Sequence, residues 1–193
     1  RTQLNLDTEF AKNQGVFDRG VPMVNGQFVV NKKTFLGEPS DGDIKINDQM
    51  YQLRLNHQFN DDWNLTTALS HEQGEREGTS TEISSIAADG QTANRFRRYR
   101  WFDTETTQFQ AILRGKLNTG TIKHELVANV EAGHYTIDQL QRRSAVGALS
   151  TINIYQPVYS VNVLPLTRVT KNSKETQDML GFNLQDQIFL NDQ

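Results

Sequence analysis

The sequence predicts an all-β protein of antiparallel, up-and-down strands, a segment of a transmembrane barrel with long external loops. Three observations predict it: apolar and polar residues alternate with a period of two, the alternating stretches are about ten residues long, and short connections exchange regularly with long ones. Alternation arises because successive side chains of a strand point to opposite faces. About 9–11 tilted residues suffice to cross a bilayer. A soluble sheet with one buried face shows the same alternation and is the competing reading.

Thr2, Leu4, Leu6, Thr8 and Phe10 alternate with Gln3, Asn5, Asp7 and Glu9, giving a first strand. Residues 12–47 hold Gly15, Gly20, Gly26, Gly37, Pro22 and Pro39 with little periodicity, the composition of a long loop. From Gln49 to Gln73 the chain reads as a hairpin. Tyr51, Leu53, Leu55, His57 and Phe59 fall on one side of its first arm, and Trp63, Leu65, Thr67 and Leu69 on the same side of its second. Between them, Asn60, Asp61 and Asp62 favour a turn because their side chains hydrogen-bond nearby backbone. Residues 74–103, with Gly74, Gly78, Gly90 and a Ser/Thr run, are expected to form a second long loop. Phe109, Ala111, Leu113 and Leu117 then oppose Gln108, Gln110, Arg114 and Lys116, broken once by Ile112. A tight turn over 118–121 leads to Ile122, Leu126, Ala128, Val130 and Ala132, and an irregular stretch over 138–173 to Leu180, Phe182, Leu184, Ile188 and Leu190. Six strands with long, short, long, short, long connections result. Outer-membrane barrels pair short periplasmic turns with long extracellular loops in this manner, which places Phe59, Trp63 and Phe189 near the periplasmic rim.

The formal net charge of −3 supplies no basic footprint for nucleic acid. Mean hydropathy is −0.63 and no apolar run approaches 18 residues, so no helix is expected to span a membrane. Cysteine is absent, which excludes disulfides and thiolate metal ligands. The chain begins and stops beside apparent strands and is read as part of something longer.

Several stretches resemble the barrel domain of TonB-dependent ferric-siderophore receptors, in order over nearly the whole chain. They are Asp18 to Pro22, Phe35 to Pro39, His57 to Trp63, His124 to Glu131, Tyr155 to Tyr159 and Gly181 to Ile188. Asn129 stands where the family commonly has Gly, and Phe182 where it has Tyr. The resemblance implies that residues 1–193 are six strands of a 22-stranded barrel, with the plug and remaining strands outside the chain. It further implies an outer-membrane location, import of a ferric siderophore with energy from the TonB complex through the N-terminal plug region, and iron that arrives already chelated. The readings from other classes are a soluble secreted or periplasmic β-sheet binding protein and a porin without a plug.

Arg95, Phe96, Arg97, Arg98, Tyr99, Arg100, Trp101 and Phe102 interleave four arginines with four aromatics. Charge-assisted hydrogen bonds and cation-π contacts suit such a set to an anionic iron chelate. An extension of the strand above the membrane, with Arg and Trp at the lipid headgroup level, is the competing reading. Tyr155 and Tyr159, stiffened by Pro157, are offered as further ligand contacts against plain loop packing. Arg54, Arg114, Lys116, Glu125 and Glu131 are expected on the inner face. His57, His71, His124 and His134 lack ligand spacing and fall on the lipid or rim faces, so no protein-held metal is expected. Glu72, Glu75 and Glu77 imitate paired carboxylates but have no pocket signature, and no nucleophile elbow, phosphate loop or zinc motif occurs. An enzyme is not expected.

Overall fold

The computed structural model describes residues 1–190. Six long strands form one antiparallel meander: β1 (Thr2–Val16), β4 (Asp43–Gln58), β5 (Trp63–Ile86), β6 (Thr92–Thr119), β7 (Ile122–Arg143) and β9 (Arg168–Phe189). A two-strand hairpin, β2 (Met23–Val24) and β3 (Gln27–Phe28), lies in the first loop, and β8 (Ser150–Asn153) pairs with the start of β6. The sheet is open, with β1 and β9 as its edges.

Registers confirm the two faces. Leu4 pairs with Leu55, Leu55 with Thr67, Thr67 with Ala111, Ala111 with Val130 and Val130 with Phe182. The neighbouring row runs Leu6, Leu53, Leu69, Phe109, Ala132 and Leu180. Paired residues share a face, so the apolar positions make one continuous band. No second layer covers it: Leu69 is 47% and Phe182 77% exposed. A soluble one-sided sheet requires that face buried, and here it is open. Hydrocarbon is the solvent that accounts for it.

The long loop expected over 74–103 is not there. β5 runs on to Ile86 and β6 begins at Thr92, leaving only residues 87–91 as a turn. Beyond the membrane neither face meets hydrocarbon, and polar residues such as Ser80, Thr81, Glu82 and Arg95 are buried under the loops, so alternation disappears although the strand continues. Gly74 and Gly78 do not break it. A side chain at Gly78 would strike Ile44 of β4, and one at Gly74 would press on Asp48 and Thr104. The irregular stretch expected over 138–173 likewise shrinks to residues 144–167, since β7 reaches Arg143 and β9 starts at Arg168.

Turn chemistry fixes the opposite end. Asn60 Oδ1 accepts from the Asp62 and Trp63 amides at 3.0 and 2.8 Å. Gly120 supplies the positive φ of the tight turn between β6 and β7. Trp63 lies flat over Gly115, where a side chain would strike its ring.

Candidate functional site

Among the described residues, the buried apolar side chains are Leu36, Ala93, Ile152 and Ile154, away from the lipid band. They join the first loop, the tip of the β5–β6 hairpin and the third loop into one small core, with Val24, Val29, Val30, Ile83, Ile86 and Tyr159 around it. The arginine-rich strand β6 passes through this assembly, and because it is extended its arginines divide between two faces.

Arg95 and Arg97 fall on the side that continues the lipid face. Arg95 is 2% exposed. Its guanidinium donates to Ser150 Oγ (2.8 and 3.2 Å), the Gly37 carbonyl (2.6 Å) and the Leu36 carbonyl (3.3 Å), and lies 3.9 Å from Glu38. Glu38 in turn accepts from the hydroxyls of Ser40 and Ser160 and from both their amides. Ser160 has a φ of 61° there, a left-handed conformation held by those bonds. Burial pushes the Glu38 carboxyl up, but the four serine donors outweigh it and hold it below the usual carboxylate range. Burial lowers Arg95, opposed by the charges of Glu38 and Asp41. Arg97 Nε contacts Asp41 at 2.6 Å, and Thr81 donates to the same carboxylate at 2.7 Å.

Tyr99 and Trp101 share this outward side. The Tyr99 hydroxyl donates to Glu77 (2.9 Å) and Trp101 Nε1 to Glu75 (3.3 Å). The Tyr159 hydroxyl donates to the Phe35 carbonyl (2.7 Å), its ring stacked on Phe35. Tyr155 is half exposed and makes no ring contact with Tyr159 among the described residues. The structure therefore does not gather all eight expected residues into one site.

Arg98 and Arg100 face the other way, toward the side that carries Arg54, Arg114, Lys116, Glu125 and Glu131. They converge with Arg19 of the first loop around the buried carboxylate of Glu82, and Arg143 of β7 stands opposite Arg98; the sequence pattern singles out neither Arg19 nor Arg143. Arg100 Nη2 meets Glu82 Oε1 at 2.6 Å, and Ser80 Oγ donates to the same oxygen at 2.8 Å. Arg19 and Arg98 reach Oε2 at 3.4 and 3.9 Å. Phe96 lies under Arg143 (4.1 Å to the centroid) and Arg98 (5.9 Å), and Phe17 under Arg19 and Arg100 (4.8 and 5.2 Å). Burial raises the Glu82 carboxyl, but Ser80, Arg100 and Arg19 outweigh it and hold it ionised below the usual range. Burial and the charge of Arg100 lower Arg98, whose Nε is enclosed without a hydrogen-bond partner. Three guanidiniums approach one carboxylate and a fourth, Arg143, lies over Phe96 beside Arg98, so the four arginines carry a surplus of three positive charges over Glu82.

The histidines do not converge. Each has its own neighbour on the outer face: Thr2 for His57, Thr107 for His71, Asp186 for His124 and Asp178 for His134. Glu72 faces inward while Glu75 and Glu77 face outward.

Comparison with known proteins agrees with this architecture. The family model described as TonB dependent receptor-like, beta-barrel matches residues 1–193. The metal-pseudopaline receptor CntO of Pseudomonas aeruginosa strain UCBPP-PA14 is 38% identical over 193 residues, 99% of this chain and 27% of the relative, and that of strain PAO1 is 38% identical over 189. The chain thus spans about a quarter of the length of these relatives. Among solved structures, the siderophore receptor PiuA from Acinetobacter baumannii superposes with a TM-score of 0.81 at 19% identity, over 98% of this chain and 31% of that one. The ferric-catecholate import receptor Fiu from Escherichia coli K12 gives 0.79 at 19%, over 98% and 30%. At that identity the superposition speaks for the fold, while the family match covers every residue: the chain belongs to the TonB-dependent receptor β-barrel family.

Proposed function

We propose that this chain is part of an outer-membrane receptor that captures an anionic metal chelate and passes it inward with TonB-derived energy. The observation that carries the reading is the inward cluster of Arg19, Arg98, Arg100 and Arg143, on the same face as the polar inner wall and above the apolar band. Guanidiniums pair with carboxylates in a bidentate, charge-assisted manner, and the partly enclosed setting of Arg98 and Arg100 strengthens that attraction relative to open water. The metal travels as cargo inside its chelate.

Relatives named for metal-pseudopaline and fold neighbours named for siderophores both support a chelated metal as the ligand class. Within that class, a ferric siderophore is the narrower reading. In the full-length receptor, Arg98→Gln with Arg100→Gln is expected to lower uptake of an anionic metal chelate at least about tenfold, since a hydrogen bond to a charged group contributes roughly 1.5–3 kcal/mol. Surface display stays unchanged. Labelled uptake of iron, nickel and zinc chelates by cells expressing the receptor reads the result, and unaltered uptake by the double variant overturns the assignment. Arg95, Arg97 and Tyr159 then act on the ligand only through the loops they hold, and Tyr99 and Trp101 only through their bonds across to β5.

A further inference from the structure

The inner cluster has an uneven geometry around its single acid. Glu82 Oε1 is firmly held by Arg100 at 2.6 Å and Ser80 at 2.8 Å. Its other oxygen, Oε2, is only loosely approached, by Arg19 at 3.4 Å and Arg98 at 3.9 Å. Those two guanidiniums are the ones with spare capacity. Arg19 has a side chain 56% exposed, and Arg98 keeps an unpartnered Nε. Arg143 rests on Phe96, its guanidinium 4.1 Å from the ring centroid.

We propose that Glu82 is a built-in stand-in for a ligand carboxylate whose charge sets a threshold: with it in the site, only chelates bearing two or more negative charges are held. With the site empty, Glu82 holds like-charged guanidiniums together that otherwise repel. An arriving carboxylate takes Arg19 and Arg98 from their long contacts with Oε2, while Arg100 and Ser80 keep Oε1 in place. Glu82 is not expelled, and its charge stays in the site. A weakly charged chelate gains little from arginines that already face an anion, whereas a polyanion meets the remaining surplus of three. This inference rests on the uptake reading above and assigns Glu82 a role in specificity.

The test uses the full-length receptor in outer-membrane vesicles with two probes of one metal: nickel nitrilotriacetate, a monoanion, and nickel ethylenediaminetetraacetate, a dianion. Binding of each is measured for wild type, Glu82→Gln and Arg19→Gln. Wild type is expected to prefer the dianion. Glu82→Gln removes the internal anion and is expected to tighten the monoanion and dianion both, by about tenfold per unit of ligand charge at an effective dielectric near 20, so that the monoanion now binds where wild type ignores it. Arg19→Gln alters an exposed, loosely bonded residue and leaves the fold intact. It is expected to weaken the dianion more than the monoanion, and it carries the test if Glu82→Gln is not displayed. A wild type that binds neither probe nor any other anionic metal chelate overturns the uptake reading itself. A wild type that binds, while a displayed Glu82→Gln leaves monoanion binding unchanged or a displayed Arg19→Gln leaves the dianion-to-monoanion ratio unchanged, overturns the role of Glu82 and leaves the uptake reading standing.

Discussion

Arg95 and Arg98 stand three positions apart on one strand and do opposite work. Arg95 is enclosed with every donor directed at protein, so its removal leaves Glu38 buried without its cation. Breaking such a pair typically costs about 3–5 kcal/mol. Arg95→Ala is accordingly expected to free the third loop, seen as faster amide exchange and new protease cleavage within residues 144–167, while the lipid-facing strands stay protected. Glu38 and Glu82 both have carboxyls held below their ordinary value. A depressed folded-state pKa gives stability that is complete above the unfolded pKa and lost only as pH falls through the folded one. The joined loops are thus expected to stay closed from neutral pH to below the usual carboxylate range, and exchange over 36–41 and 150–160 measured against pH checks this. The sequence displayed the arginine and aromatic cluster plainly. It did not display which way each member points, because counting alternation back from Phe109 to Arg95 requires the strand to continue through residues expected to be a loop.

At the scale of single strands, the part inside the membrane was legible and the part above it was not. Leu53, Leu55, Leu69 and Phe109 announce their face because hydrocarbon on one side and water on the other impose a period of two. Thr79, Thr81, Ser80 and Glu82 announce nothing, since the extension of β5 meets polar surroundings on both sides. β5 has 24 residues and β6 has 28, where about 9–11 cross the bilayer, so over half of each strand lies outside it. Depth along the band governs the effect of a charge. Val130→Arg, mid-band on β7, is expected to cost about 2–4 kcal/mol and Leu117→Arg, beside the tight turn, about 0–1, by urea unfolding of the full receptor in vesicles. Gly115 tests packing at the rim. A side chain there meets the Trp63 ring directly, so Gly115→Val is expected to displace the indole and shift its fluorescence toward that of a water-exposed ring.

At the scale of the whole molecule, an open sheet offers unpaired backbone along β1 and β9 and an uncovered apolar face. Both invite association. The isolated chain is expected to form multimers in aqueous buffer and to become monodisperse only in detergent, read by light scattering. The family resemblance was visible in short, ordered stretches of sequence and holds over all of residues 1–193. Hidden was the joining of the first and third loops across the hairpin tip, which depends on Glu38, Arg95 and Ser160, residues 122 positions apart at the extremes and carrying no local signal. That joining has a kinetic consequence. On the proposed uptake reading, the segments beside the inward arginines are already ordered before a chelate arrives, so encounter needs no slow closure and its rate is expected to follow electrostatic attraction, falling steeply as ionic strength rises.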